Sequence, residues 1–264
     1  MALRPLYDPS QGTMRIVGLM SGSGTNIRKI LEYQEKLKQR EGRYIYQMVC
    51  IFSDNVESRA VEIGKDYDLP VIVHDISSFY KKRGAPRTDL KLREEFDQLT
   101  VKMLSVFEAK VAVYGGYMSL ATKPLIDAFI GVNVHPADLS VEENGTRKWT
   151  GAHAVLDQIK AGEKFLRATT HLIEPECDMG RIFMISEPVK VEIPKGADLA
   201  DPDQLKKIAD HNQNRLKEKG DWVIFPKTIE EIARGNFQVD ESGNFYYKGK
   251  PIPKGIRFEE LKRS

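Results

Sequence analysis

Arg15-Ile16-Val17-Gly18-Leu19-Met20-Ser21-Gly22-Ser23-Gly24-Thr25-Asn26 is the stretch from which the fold can be read. Its first six residues are a short apolar run, as in a buried strand. Residues 21–26 set two glycines among small hydroxyl residues, and Ile27, Ile30, Leu31 and Leu37 then fall on one face of a helix. Backbone N–H groups leaving such a turn, with a helix dipole behind them, make an anion site built from Gly22, Ser23, Gly24, Thr25 and Asn26. A purely structural turn has the same composition. The dinucleotide fingerprint fits poorly, because Ile27 stands where the third glycine belongs. The P-loop fits worse, since its Gly-Lys-Ser/Thr end is missing. A phosphate monoester or sugar phosphate suits the turn better than NAD or ATP.

Outward from this unit the pattern repeats. Strands are expected at residues 47–52, 70–73, 110–114 and 131–134, with helices at 58–67, 88–108 and 123–129. In the long helix Leu92, Phe96, Leu99, Met103 and Phe107 mark one face. Residues 74–88, polar and carrying Lys81-Lys82-Arg83, read as a loop. Alternating strands and helices with short connections imply an α/β, doubly wound, mostly parallel sheet. After Pro136 the pattern changes. Residues 137–151 are polar and irregular, and 152–161 are helical. Strands at 167–173 and 182–191 flank a turn at 174–180, and helices follow at 201–219 and 222–234. Residues 237–252 form a terminal hairpin, so the C-terminal part is antiparallel. Residues 1–14 read as a loose N-terminal arm. Residues 15–264 read as one domain, with a phosphate-binding half at 15–135 and a second half at 136–264.

The bulk numbers exclude several classes. In 264 residues, 40 basic and 38 acidic side chains leave a net charge of +2, which argues against a broad basic field for nucleic acid. No apolar run reaches the ~18 residues of a membrane helix, and the first residues lack a signal-peptide core, so the chain reads as cytoplasmic with no membrane partner. Cys50 and Cys177 form no CxxC pair, and the five histidines show neither HExxH nor HxH spacing, so no catalytic metal is expected.

Chemistry concentrates in Gly131-Val132-Asn133-Val134-His135-Pro136. Side chains two apart on an extended segment share a face, and Pro136 ends the ladder. A fixed amide beside a titratable imidazole suits oxyanion stabilisation and proton movement, although a buried structural Asn and His would look the same. In the turn Cys177-Asp178-Met179-Gly180, Asp178 is either a local Asx cap or a partner that orients His135. Cys177 reads as a small space-filler and His171 as a satisfied core histidine. His153 reads as a cap or a second-layer residue.

Taken together, Ser21 to Asn26, Arg93-Glu94-Glu95-Phe96-Asp97, Gly115-Gly116-Tyr117-Met118, Asn133 to Pro136, Thr170-His171, the Asp178 turn, Phe225-Pro226, Gly235 to Gln238 and Tyr247 to Pro251 resemble the phosphoribosylglycinamide formyltransferase family, in order and over residues 15–258. The resemblance implies a Rossmann-like formyltransferase fold and Asn133, His135 and Asp178 as a catalytic trio. It implies that Gly24, Thr25 and Asn26 hold the phosphate of glycinamide ribonucleotide, with Asp221 close to the ribose. It places Arg93, the segment Met118, Ser119, Leu120 and Ala121, and the loop from Glu174 through Cys177 to Asp178 beside the folate, in the half 136–264 for that loop. It departs at Ala137-Asp138-Leu139-Ser140 and at about seven additional residues before Gly151, a length typical of functional loops. Ser119 stands where an arginine is common, Met179 where a glycine is common, and residues 196–220 are longer.

The expected activity is formyl transfer from 10-formyltetrahydrofolate, a cosubstrate, to glycinamide ribonucleotide, by a monomer or homodimer without nucleic acid. In it Asn133 and a protonated His135 hold the developing oxyanion. The alternatives are a related formyl-folate transferase with another acceptor, a hydrolase of the folate, or a non-catalytic sugar-phosphate-binding protein. A NAD-binding oxidoreductase is weakened by Ile27.

Overall fold

A computed structural model describes residues 2–262. Its central sheet has eight strands: β1 (Met14–Met20), β2 (Tyr46–Ser53), β3 (Val71–Val73), β4 (Val111–Tyr114), β5 (Ile130–His135), β6 (Thr169–Leu172), β7 (Ile182–Ile185) and β8 (Ile256–Arg257). The spatial order is β8-β7-β6-β5-β4-β1-β2-β3. The five strands from β5 to β3 are parallel. β6 is antiparallel to both β5 and β7, and β8 lies parallel to β7. The fold is α/β, with a mostly parallel sheet and an antiparallel C-terminal part.

The apolar runs of β1 and β4 are buried on both faces because helices cover both. The helices are α1 (Thr25–Glu41), α2 (Ala60–Tyr67), α3 (Ile76–Lys81), α4 (Leu90–Leu104), α5 (Lys123–Ala128), α6 (Ala154–Lys160), α7 (Pro202–Leu216) and α8 (Trp222–Ala233). Ile27, Ile63, Val155, Leu205 and Ile224 pack with Met14, Ile16 and Met20 on one face. Phe79, Phe96 and Leu125 pack with Val17 and Leu19 on the other. The chain leaves β1 toward β2 and later returns to β4 on the opposite side. The carboxyl ends of β1 and β4 therefore border the crevice where open α/β sheets bind ligands.

Several expectations are corrected. The described part of the N-terminal arm is not loose. Arg4–Pro5 pairs with Phe237–Val239, and the Leu6 N–H donates to the Phe237 carbonyl. With Phe245–Tyr247 and Lys250–Pro251 it makes a four-stranded sheet in place of a simple hairpin. Two paired residues are too few to leave a periodic signal. Residues 74–88 contain α3, because the Asp75 carboxylate caps the Ser78 N–H and Ile76, Phe79 and Tyr80 turn inward. α4 buries Arg93, Phe96, Asp97, Thr100 and Leu104, a face rotated from the apolar row, and Leu99 is left 40% exposed. The Arg93–Asp97 ion pair, at 2.6 Å, lets charged residues take the inner face. α7 and α8 are joined by a π-helical turn, Lys217–Asp221, which aims Asp221 inward.

One ion network ties α1 to α8. The buried Glu230 carboxylate accepts from Tyr33 at 2.5 Å, Arg40 at 3.0 Å, Lys227 at 2.9 Å and Arg234 at 2.8 Å. Burial alone would raise its pKa, but the bonds from Tyr33, Lys227 and Arg234 prevail and hold it down to about 2. A carboxylate with a depressed folded-state pKa adds stability above its unfolded value, and loses it as pH falls toward the folded one. Glu230→Gln is expected to cost about 2 kcal/mol at pH 7 by urea denaturation. Its disadvantage against the parent should shrink as pH drops from about 4.5 toward about 2. A gap that stays constant over that range contradicts the assignment.

Candidate active site

β5 ends in Asn133 and His135, whose side chains share a face. The antiparallel register sets His171 opposite Asn133 and Thr169 opposite His135. Asn133 Nδ2 donates to His171 Nε2 at 3.1 Å, and His171 Nδ1 donates to the Leu172 carbonyl at 3.0 Å. That pair of contacts assigns the Nδ1–H tautomer to His171, which makes it the acceptor that orients the Asn133 amide. His171 is thus a working part of the cluster. The sequence alone reads it as a satisfied core histidine, because strand register is not local.

His135 Nε2 donates to the Trp149 carbonyl at 2.8 Å, and its Nδ1 lies 3.5 Å from Asp178 Oδ2. Asp178 Oδ1 lies 3.8 Å from His171 Nε2. One carboxylate therefore faces two imidazoles, and all three side chains are buried. Asp178 is more than an Asx cap. Its backbone is left-handed, with φ of 57°. The next residue but one, Gly180, is required, because a Cβ there would fall 1.8 Å from the Leu172 carbonyl oxygen. Residues 142–151 brace the turn from outside: Gly151 N–H donates to Asp178 Oδ2 at 2.8 Å and the Arg147 guanidinium to the Asp178 carbonyl. The stretch expected to be irregular carries a small hairpin, Glu142–Glu143 against Thr146–Arg147.

Burial pushes the His135 pKa below its usual value, against the pull of Asp178, and Arg147 adds to the depression. Burial also takes His171 down to about 4. Both imidazoles are neutral at neutral pH, so the protonated His135 expected from sequence is not the resting form.

The glycine turn lies at the carboxyl end of β1. The Ser21 N–H donates to the Gly116 carbonyl beyond β4, and Asn55 Nδ2 to the Ser21 carbonyl. Gly24 is the left-handed N-cap of α1, with φ of 65°. A Cβ there would stand 2.5 Å from Ile63 Cδ1, so only glycine fits. No side chain caps α1, which leaves the N–H groups of its first turn, those of Thr25 and Asn26 among them, available to an anion. Gly22 and Ser23 are exposed beside them. Opposite lies buried Asp221, whose Oδ1 has no partner, and the same holds for Asn26 Oδ1 and Trp222 Nε1. Unpaired buried acceptors beside an anion turn suit a ligand that bears hydroxyl donors. Burial raises the Asp221 pKa to about 7, against Lys217 and the Asn26 amide.

The residues expected beside a folate divide. Arg93 is buried beneath residues 117–121, where Nε donates to the Leu120 carbonyl at 2.6 Å and Nη2 to Tyr117 Oη at 3.0 Å. Only Nη1 lacks a partner. Met118 and Leu120 are exposed, and the Ser119 hydroxyl bonds Asp54. Ala121 is half-buried. Asp97, which sequence reading passed over as a site residue, closes the segment by accepting from the Thr122 N–H and hydroxyl at 2.7 Å each. Glu174 pairs with Arg181 at 2.7 Å. Cys177 is exposed, so it is no space-filler, and partial desolvation with Asp178 nearby raises its pKa and keeps it a thiol. Among the described residues no helix is long and apolar enough to cross a membrane.

Comparison with known proteins gives this arrangement a context. A family model described as formyl transferase matches residues 14–214. The chain is similar to the phosphoribosylglycinamide formyltransferase of Mycobacterium tuberculosis, at 28% identity over 71% of this chain and 76% of that protein. It is 24% identical to the trifunctional purine biosynthetic protein adenosine-3 of Gallus gallus over 89% of its own length. It spans only about a fifth of that larger relative, 20%. The solved phosphoribosylglycinamide formyltransferase of Coxiella burnetii shares the fold, with a TM-score of 0.67 at 19% identity, covering 93% of this chain and 99% of that one.

The Asp221 carboxyl supplies a pH test. A folded-state pKa raised above the unfolded one means stability present at low pH is lost as pH climbs through the folded value. Relative to Asp221→Asn, the parent is expected to lose on the order of 3 kcal/mol between pH 4 and pH 8. Thermal melts across that range check it, and parallel curves for the two proteins contradict it.

Proposed function

The chain belongs to the formyl transferase family, and from that premise we propose that it transfers a formyl group from 10-formyltetrahydrofolate to the amine of glycinamide ribonucleotide. The observation that carries the reading is the convergence of Asn133, His135 and Asp178 at the end of β5, in the same crevice as an uncapped glycine turn. The α1 N-terminus binds the phosphate, and Asp221 with Asn26 receives the ribose hydroxyls. Arg93 Nη1 and the backbone of 118–121 face the folate. The partnerless atoms of Arg93, Asn26 and Asp221 support this division.

The neutral amine attacks the formyl carbon; a C–N bond forms and the carbonyl electron pair moves to oxygen. The second hydrogen of Asn133 Nδ2 and the Nε2–H of His135 donate to that oxygen, which replaces the Trp149 carbonyl as acceptor. His135 Nδ1, bare in the resting tautomer, faces Asp178 Oδ2 rather than the reacting carbon, so the proton released by the amine reaches it through a water held at that carboxylate. Asp178 Oδ2 then stabilises the imidazolium. As the pair on oxygen re-forms the carbonyl, the bond to the folate nitrogen breaks, its electron pair stays on that nitrogen and the proton follows. Each oxyanion donor is worth ~10²–10³ in rate and the acid–base step ~10²–10⁴.

Mixing protein and 10-formyltetrahydrofolate, with and without the ribonucleotide, tests the proposal by release of deformylated folate. Acceptor-dependent release is the expected result. Acceptor-independent release identifies a hydrolase, and no release a binding protein. His135→Ala should lower turnover at least ~10²-fold while ribonucleotide affinity holds. The pH–rate profile should rise with a midpoint below 6.5, in the direction of the His135 shift. A rise centred above that value means another group is the base.

A further inference from the structure

We propose that Arg147 is a positioning residue for Asp178, an inference that rests on the formyl-transfer reading of the site. Asp178 holds a left-handed backbone without being glycine, a conformation that L side chains rarely adopt. Left free, that turn relaxes and swings the carboxylate away from both imidazoles. Two contacts prevent this, and both come from the strap of residues 142–151 that closes over the turn. The Arg147 guanidinium takes the Asp178 carbonyl, and the Gly151 N–H takes its carboxylate.

Arg147 is itself held in place. It pairs with Glu142 across the small hairpin, and the Lys148 N–H donates to the Val141 carbonyl at 3.0 Å. The carboxylates of Glu142, Asp178 and Glu174 surround its half-buried guanidinium. The charged and titratable groups facing the turn are thus Arg147 and Glu142 from the strap, His135 from β5, His171 from β6, and Glu174 with Cys177 from its own loop. Arg181 is spent on Glu174. Arg147 alone reaches the Asp178 main chain with a cation, among the described contacts.

The test has one arm that needs no activity and one that does. Amide hydrogen exchange on the full chain compares the parent with Arg147→Met and Arg147→Lys. Arg147→Met is expected to lower protection at Gly151 about tenfold, while Lys148 keeps its protection and Arg147→Lys stays near the parent. Unchanged Gly151, or equal loss at Lys148, overturns the proposal, since the arginine would then hold nothing or merely hold the hairpin. In turnover, Arg147→Met should lower kcat about a hundredfold with KM for the ribonucleotide unchanged, the scale expected of a misplaced catalytic group. In an Asp178→Asn background the same substitution should cost nothing further, and an equal cost there refutes action through Asp178. A parent without turnover removes the formyl-transfer reading and leaves the exchange result to decide this one.

Discussion

The antiparallel pairing of β6 against the last parallel strand is the constraint on which the site depends. Five parallel strands could end in polar residues without bringing any of them together. Reversing direction at β6 sets His171 across from Asn133 and delivers the loop that follows, with Asp178, back over His135. Buried polar groups in such a pocket must satisfy one another, and here they do so in a fixed sense. The Leu172 carbonyl sets the His171 tautomer, His171 sets the Asn133 amide, and the Trp149 carbonyl sets His135. The pocket is therefore preorganised, with one acceptor, the Trp149 carbonyl, standing where a substrate oxygen has to go.

Dehydration gives this arrangement its chemistry. In water the pull of Asp178 would raise the His135 pKa; inside the pocket the loss of solvent prevails and the imidazole rests neutral. A neutral ring can take a proton when the amine releases one, and the nearby carboxylate then favours the charged form. The same balance appears at Asp221, whose burial favours the neutral carboxyl. It reverses at Glu230, where four donors outweigh burial and lock α1 against α8. That lock fixes the distance between the glycine turn at the head of α1 and Asp221 at the head of α8.

Much of this was legible in the sequence, for identifiable reasons. Ile16 to Met20 and Val111 to Tyr114 are apolar runs buried on both sides, so the parallel sheet declared itself. Spacing of two put Asn133 and His135 on one face, and Gly24 marked the only conformation the turn permits. Contacts made across the chain were not legible. His171 gained its role from register, and Arg147 and Gly151 gained theirs from a loop closing over Asp178. Asn144-Gly145 did carry a local hairpin signal, since both residues have positive φ, yet the flanking pairs were too short to read as strands. The rotated face of α4 escaped for a different reason: an internal ion pair made Arg93 and Asp97 resemble a solvated face.

Nitrogen NMR of the His135 imidazole, in the free protein and with glycinamide ribonucleotide plus a non-transferable formyl-folate analogue, addresses the central claim most directly. The account predicts a neutral ring protonated at Nε2 in the free protein at pH 7. It predicts a changed Nε2–H resonance when both ligands are bound, as that proton leaves the Trp149 carbonyl for the formyl oxygen. A ring protonated at Nδ1 in the free protein, or an Nε2–H resonance indifferent to the ligands, would contradict it.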